Sequence, residues 1–312
     1  MSYTRAALEN DHRLNRTPVG GEHALSIPFR DQSLVGILHA PVESECEPSD
    51  TAIVIVVGGP QIRAGSHRQF VLMARAFAAA RYPVLRFDLA GMGDSAGEPA
   101  NFEAASDDIG TAIDALLKRL PSVKQVVLWG LCDGASASLL YWRERRDPRV
   151  VALALANPWV RTEASQARTQ VKHYYRDRLR QPEFWLKLLR GGVAFRAAKD
   201  LVLNLQRSAT SAKSSSVSAN LPFPERMAQA WRDFGGEVLL LLSENDFTAK
   251  EFLDQVAVSP AWSNALSRKR LQREDLAGAD HTFSNAVARQ TVIDATLRWL
   301  NNLDTNARAD AR

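Results

Sequence analysis

The stretch Val126-Val127-Leu128-Trp129-Gly130-Leu131-Cys132-Asp133-Gly134 carries the reading of this chain. Val126 to Trp129 is an apolar run of the kind buried on both faces of a parallel sheet. It passes directly into Gly130-Leu131-Cys132-Asp133-Gly134, and a helix then begins among the small residues Ala135, Ser136, Ala137 and Ser138. A strand, a tight turn and a helix form a nucleophile elbow, with cysteine where serine is usual. The turn is strained, so the residues two before and two after the nucleophile must be small enough for strand and helix to approach. With 17 glycines and 2 cysteines in 312 residues, the pattern is expected by chance about 0.006 times. A buried, inert cysteine in a tight turn is therefore the weaker reading. The helix N-terminus behind Cys132 also favours negative charge at the sulfur.

The pattern repeats on both sides. Ala52 to Val57, Val84 to Phe87, Val150 to Ala156, Val238 to Leu242 and Lys269 to Leu271 are further strand candidates. Leu25 to Phe29 and Gly36 to His39 form an antiparallel opening around Asp31-Gln32-Ser33. Helical spacing links Phe70, Met73, Ala74 and Phe77, then Ile109, Ala112, Ile113, Leu116 and Leu120, and finally Ile293, Thr296, Leu297 and Leu300. Strands alternating with helices require crossover connections and a mostly parallel sheet, so the fold class is α/β. The alternation stops between Trp159 and Trp231, where Arg-rich helical patterns lead into the Ser-rich stretch Ser208 to Ser218. The expected organisation is a core from 1–158 and 232–312, interrupted by a helical lid with a Ser-rich loop over 159–231.

An elbow nucleophile needs a base and an orienting acid, which follow it in the order Asp/Glu, then His. Asp246 comes just after the strand Val238 to Leu242, and His281 lies between the last strand candidate and the final helix. Both sit at C-terminal strand ends, where open α/β sheets bind ligands. Glu244 is an alternative acid and His67 an alternative base or substrate contact. Asp280 reads as a turn residue, and Cys46, among Glu43, Glu45 and Glu47, as a bystander. The oxyanion needs preset N–H donors. One is the amide of Asp133; the second comes from Gly58-Gly59-Pro60-Gln61, where proline has no N–H, leaving Gln61 as the preferred donor and Gly59 as the other.

Composition narrows the classes. The chain is 46% hydrophobic and 24% charged, as in a globular domain. No apolar run approaches the ~18 residues of a membrane span, and the polar start lacks a signal-peptide pattern, so a cytoplasmic location is expected. Two cysteines are too few for a disulfide framework. There is no metal-ligand spacing, no G-x-G-x-x-G after a strand and no recognised nucleic-acid module. Neither metal, cofactor nor nucleic acid is expected. The formal charge of +4 resides in Arg161 to Arg180, where Arg168, Lys172, Arg176 and Arg180 recur every four residues. This stripe reads as a solvated helix face, or as a surface that steers an anionic acyl donor toward Cys132.

Nearly the whole chain, from Glu22 to Leu303, resembles the α/β-hydrolase superfamily, with Arg86-Phe87-Asp88-Leu89-Ala90-Gly91-Met92-Gly93-Asp94-Ser95 as a strong marker. More narrowly, the segment from Gly58 to Phe70, together with Gly130-Leu131-Cys132-Asp133, is similar to the exosortase A system-associated hydrolase type 1 family. The resemblance implies a bacterial cytoplasmic enzyme encoded beside exopolysaccharide and protein-sorting genes. A cysteine nucleophile also resembles the dienelactone hydrolases, from which the lid insertion and the Gly-Gly-Pro loop depart. The expected chemistry is hydrolysis of an ester, lactone or thioester of a small molecule through an acyl-Cys132 intermediate. Transfer of the acyl group to a polysaccharide or peptide hydroxyl is the alternative with the same intermediate. A binding protein that keeps the fold without catalysis is the alternative from another class.

Overall fold

The computed structural model describes residues 20–42, 47–59, 61–161 and 221–310. Two compact units divide the chain, one of Met1–Val160 with Phe223–Arg312 and one of Arg161–Pro222. The expected lid helices, the Ser-rich loop, Arg168, Lys172, Arg176, Cys46 and Pro60 lie outside the described residues.

The larger unit is an eight-stranded sheet: β1 (Gly21–Phe29), β2 (Gln32–Ala40), β3 (Thr51–Val56), β4 (Val84–Phe87), β5 (Gln125–Leu131), β6 (Val150–Ala156), β7 (Glu237–Ser243) and β8 (Leu271–Leu276). Their spatial order is β1-β2-β4-β3-β5-β6-β7-β8. The β1–β2 and β2–β4 pairs are antiparallel; every later pairing is parallel. Six described helices flank it: α1 (Gln69–Ala79), α2 (Ser106–Arg119), α3 (Asp133–Arg145), α4 (Phe223–Asp233), α5 (Phe247–Val258) and α6 (Ala286–Asp310). Helices α2, α3 and α4 pack in sequence on one another, and α1 packs against α6. Covered on both faces, the central strands are continuous apolar runs; all six residues of β3 are buried.

Two edges differ from the sequence reading. The opening strands are nine residues each and meet in a two-residue turn, Arg30-Asp31, with Phe29 opposite Gln32 and Arg30 in the left-handed region at φ 54°. The turn thus precedes the expected Asp31-Gln32-Ser33, because main-chain pairing continues through polar residues that face water. At the other edge, β8 starts at Leu271, where the expected strand ended, and its sequence Leu-Gln-Arg-Glu-Asp-Leu carries charge instead of an apolar run. Charged side chains on an edge strand discourage pairing with another sheet and also erase the hydrophobic signal. Helix α4, within the expected insertion, packs as part of the larger unit: Trp231 contacts the rings of Phe252 and Trp262, and its indole N–H donates to Ala265 O at 2.9 Å.

The strand order sets β5 between β3 and β6. The loops after β3, β5, β7 and β8 therefore emerge at one edge of the sheet, and these loops carry the candidate residues.

Candidate active site

Cys132 links β5 to α3 with φ 59° and ψ −125°, a conformation that L-residues rarely adopt. Main-chain bonds hold it there: Cys132 N–H donates to Ala156 O at 2.9 Å, and its carbonyl accepts from Ala135 N at 3.1 Å and Trp159 N at 3.2 Å. Strain of this kind persists only where the surroundings over-determine it. The flanking glycines permit the approach. A Cβ on Gly130 would lie 2.5 Å from the carbonyl carbon of Gly134, and one on Gly134 would lie 2.4 Å from Val56 O. Both obstructing atoms are backbone and have nowhere to move. Gly134→Ala is accordingly expected to cost about 3 kcal/mol of stability in urea unfolding, whereas a loss under about 0.5 kcal/mol, the ordinary surface value, would show that strand and helix can separate freely.

Asp246 follows β7 and caps α5. Its carboxylate accepts from Thr248 N at 3.0 Å and Ala249 N at 3.4 Å, and from His281 Nδ1 at 2.8 Å. Asp was favoured here by the same physics that makes it a good N-cap: a short acceptor opposite unpaired helix amides. The residue is 5% exposed. With Nδ1–H donating to Asp246, Nε2 is the ring nitrogen left for Cys132. The His281 imidazole is pushed up to about 10, first by its hydrogen bond to Asp246, then by its interaction with Cys132, with burial opposing both. The fold thus brings Asp246 and His281, 35 positions apart, into direct contact, with Cys132 acting on the same imidazole.

The alternatives resolve into supporting roles. Glu244 accepts from Gly278 N at 2.8 Å and so ties down the loop leading to His281. Asp280 accepts from Thr282 N at 3.2 Å and Ser284 N at 2.9 Å, as a turn residue does. His67 is exposed, lies in a left-handed turn at φ 53°, and acts electrostatically on Asp280.

The loop after β3 holds a finding that sequence reading missed. Gly59 N–H donates to Asp133 Oδ2 at 2.5 Å. Burial raises the proton affinity of that carboxylate, and the Gly59 amide and the nearby His281 oppose the rise without cancelling it. Gln61 N–H instead donates to Gly58 O at 3.2 Å, closing a turn. Both expected second donors are thus engaged within the protein, Gly59 N–H by the Asp133 carboxylate and Gln61 N–H by Gly58 O. The loop itself is clamped: Arg63 N donates to Asp88 Oδ1 at 2.6 Å, and the Arg63 guanidinium pairs with both Asp88 and Asp94 in the turn after β4. Asn157 is a second missed residue. It is fully buried, donates to Ser243 Oγ at 3.0 Å and His281 O at 3.4 Å, and accepts from Ser243 N at 2.8 Å, joining the ends of β6 and β7 to the histidine loop. Its signal in the sequence is an amide directly after a buried strand.

Residues 53–295 match the alpha/beta hydrolase family. The chain belongs to that family. No curated protein matches it. Among solved structures it is similar to an esterase of Pyrococcus furiosus, at 14% identity and a TM-score of 0.59 over 91% of each chain. It is also similar to ferulic acid-bound Est1E from Butyrivibrio proteoclasticus, at 15% identity and 0.57 over 89% of this chain and 98% of that one. A third is a proline iminopeptidase of Mycobacterium smegmatis, at 14% and 0.56 over 91% and 100%. At these identities the likeness is one of fold. Among the described residues of this alpha/beta hydrolase, no helix is long and apolar enough to cross a membrane.

Proposed function

We propose that this alpha/beta hydrolase cleaves an ester or thioester through an acyl-cysteine intermediate, with Cys132 as nucleophile, His281 as acid–base group and Asp246 as its orienting carboxylate. The observation that carries this reading is the 2.8 Å bond from His281 to Asp246, on an imidazole whose proton affinity also rises through Cys132 on the strained elbow. In the first half-reaction the proton that Cys132 and His281 share rests on the imidazole, and Sγ bonds to the acyl carbon. Negative charge moves to the carbonyl oxygen, held by the amides of Gly59 and Asp133. As the carbonyl re-forms, the bond to the leaving oxygen or sulfur breaks and the imidazolium returns its proton to that group. In the second half, water gives a proton to His281 and its oxygen attacks the acyl carbon; the C–S bond breaks, releasing the acid and restoring the thiol.

Sulfur is a good leaving group, which suits activated acyl donors better than amides. The resemblance of residues 58–70 and 130–133 to exosortase-associated hydrolases supports a cytoplasmic, exopolysaccharide-linked setting for this chemistry. Mixing the protein with a slowly hydrolysed aryl ester and quenching in acid is expected to give one acyl mass on the peptide containing Cys132. Burst release of the phenol with the acyl mass on another residue would overturn the assignment.

A further inference from the structure

In the structure, one of the two amides that would receive an oxyanion, that of Gly59, already holds a carboxylate. The carboxylate of Asp133, the residue after the proposed nucleophile, accepts from Gly59 N at 2.5 Å. The sequence makes room for it: a Cβ on Gly58 would lie 1.9 Å from Asp133 Oδ1 and 2.4 Å from Gly134 N. Any side chain at position 58 would expel the carboxylate, so glycine there and aspartate at 133 fit as a pair.

A carbonyl oxygen and a carboxylate oxygen are both acceptors and cannot share the Gly59 N–H. For an acyl group to be activated, Asp133 must leave the cradle. Its side chain has only two torsions, so the displaced carboxylate remains at the cradle mouth, beside the atoms next to the incoming carbonyl. There it needs new donors. Among the described residues, the cation that acts on this carboxylate is His281, which is already bonded to Asp246. A hydroxyl or ammonium on the substrate, next to the carbonyl, can supply them.

On this basis, and resting on the acyl-cysteine reading above, we propose that Asp133 is a specificity-determining residue: it occupies the oxyanion cradle at rest and yields it to acyl groups that carry a hydrogen-bond donor, a hydroxyl or an ammonium, on the carbon beside the carbonyl. Plain alkanoyl groups offer the displaced carboxylate nothing and are turned over slowly. The negative charge of Asp133 thereby acts as a selection filter in a site that otherwise accepts any unhindered acyl donor.

The test compares aryl esters of glycolic and acetic acid in the parent protein, Asp133→Ala and the near-isosteric Asp133→Asn. The glycolate-to-acetate ratio of kcat/KM is expected to be at least tenfold higher in the parent than in Asp133→Ala, with Asp133→Asn between them, and acetate ester turnover is expected to rise on substitution. An unchanged ratio in both variants overturns the proposal, whatever happens to the absolute rates. The cradle itself is read without catalysis. Calorimetric titration with sodium acetate, against sodium chloride, is expected to show millimolar binding to Asp133→Ala and none to the parent. If Asp133→Ala takes no acetate while its unfolding midpoint matches the parent's, the cradle is not an anion site and the proposal fails. Turnover of neither ester by any of the three proteins would sink the acyl-transfer reading instead, and acetate binding would then decide the cradle alone.

Discussion

Cys132→Ala is expected to lower kcat/KM toward aryl esters and thioesters by about 10⁴-fold or more, the scale seen when an acyl-transfer nucleophile is removed. The loss should appear in chemistry and leave the fold intact. The elbow conformation is held by bonds from the main chain of Cys132 to Ala156, Ala135 and Trp159, and alanine retains all of them. Alanine also carries the same Cβ at φ 59°, so the strain is unchanged. Steady-state rates with matched circular dichroism and urea midpoints check this. A variant that folds normally and keeps more than a tenth of the parent rate would remove Cys132 from the mechanism.

Asp246→Asn separates two duties of one carboxylate. As a helix cap, asparagine is about as good as aspartate, so α5 should be preserved within about 1 kcal/mol. As a partner for Nδ1, an amide can neither supply the charge nor be relied on to present its oxygen, and the same exchange in a Ser-His-Asp triad costs about 10⁴-fold in kcat. A loss of about 10²- to 10⁴-fold is expected here. The pH dependence gives an independent sign. The His281 imidazole stands at about 10 against an ordinary 6.5, so its folded value is raised. The stabilisation it brings is complete below about pH 6.5 and is lost as pH rises through about 10. Activity that needs the imidazolium to protonate the leaving group falls through the same upper limit. With the largest cause of the shift removed, the alkaline limb of the Asp246→Asn profile should move toward neutrality. An alkaline limb that stays put would mean that another group sets it.

The sequence states the core plainly because the strands buried on both faces have nowhere to hide polar residues. Val84–Phe87 and Val150–Ala156 are found within the bounds that their apolar runs imply. Legibility falls at the sheet edges, where β8 is charged and β1 and β2 alternate with solvent, so that hydrophobicity no longer marks strand length. In the proposed site, the placement of Cys132, Asp246 and His281 could be read because each has a positional grammar: small neighbours around a tight strand–helix turn, a cap before a helix, a histidine in the loop after the last strand. The carboxylate of Asp133 could not, since sequence order assigned that residue only its amide, and nothing local shows that its side chain reaches across to Gly59. Asn157 was hidden for a similar reason: its partners, Ser243 and His281, are distant in sequence.

The elbow's dependence on main-chain bonds bears on how such a protein changes over generations. Strand, turn and helix are fixed by glycines and peptide groups, and the bonds described above that hold the turn at Cys132 use its backbone N–H and C=O. The reactive atom is thus mounted on a frame that does not depend on it. Sulfur can be exchanged for oxygen in one substitution with the frame left standing, which makes the kind of nucleophile among the easiest properties of this site to alter, and the shape of the turn among the hardest.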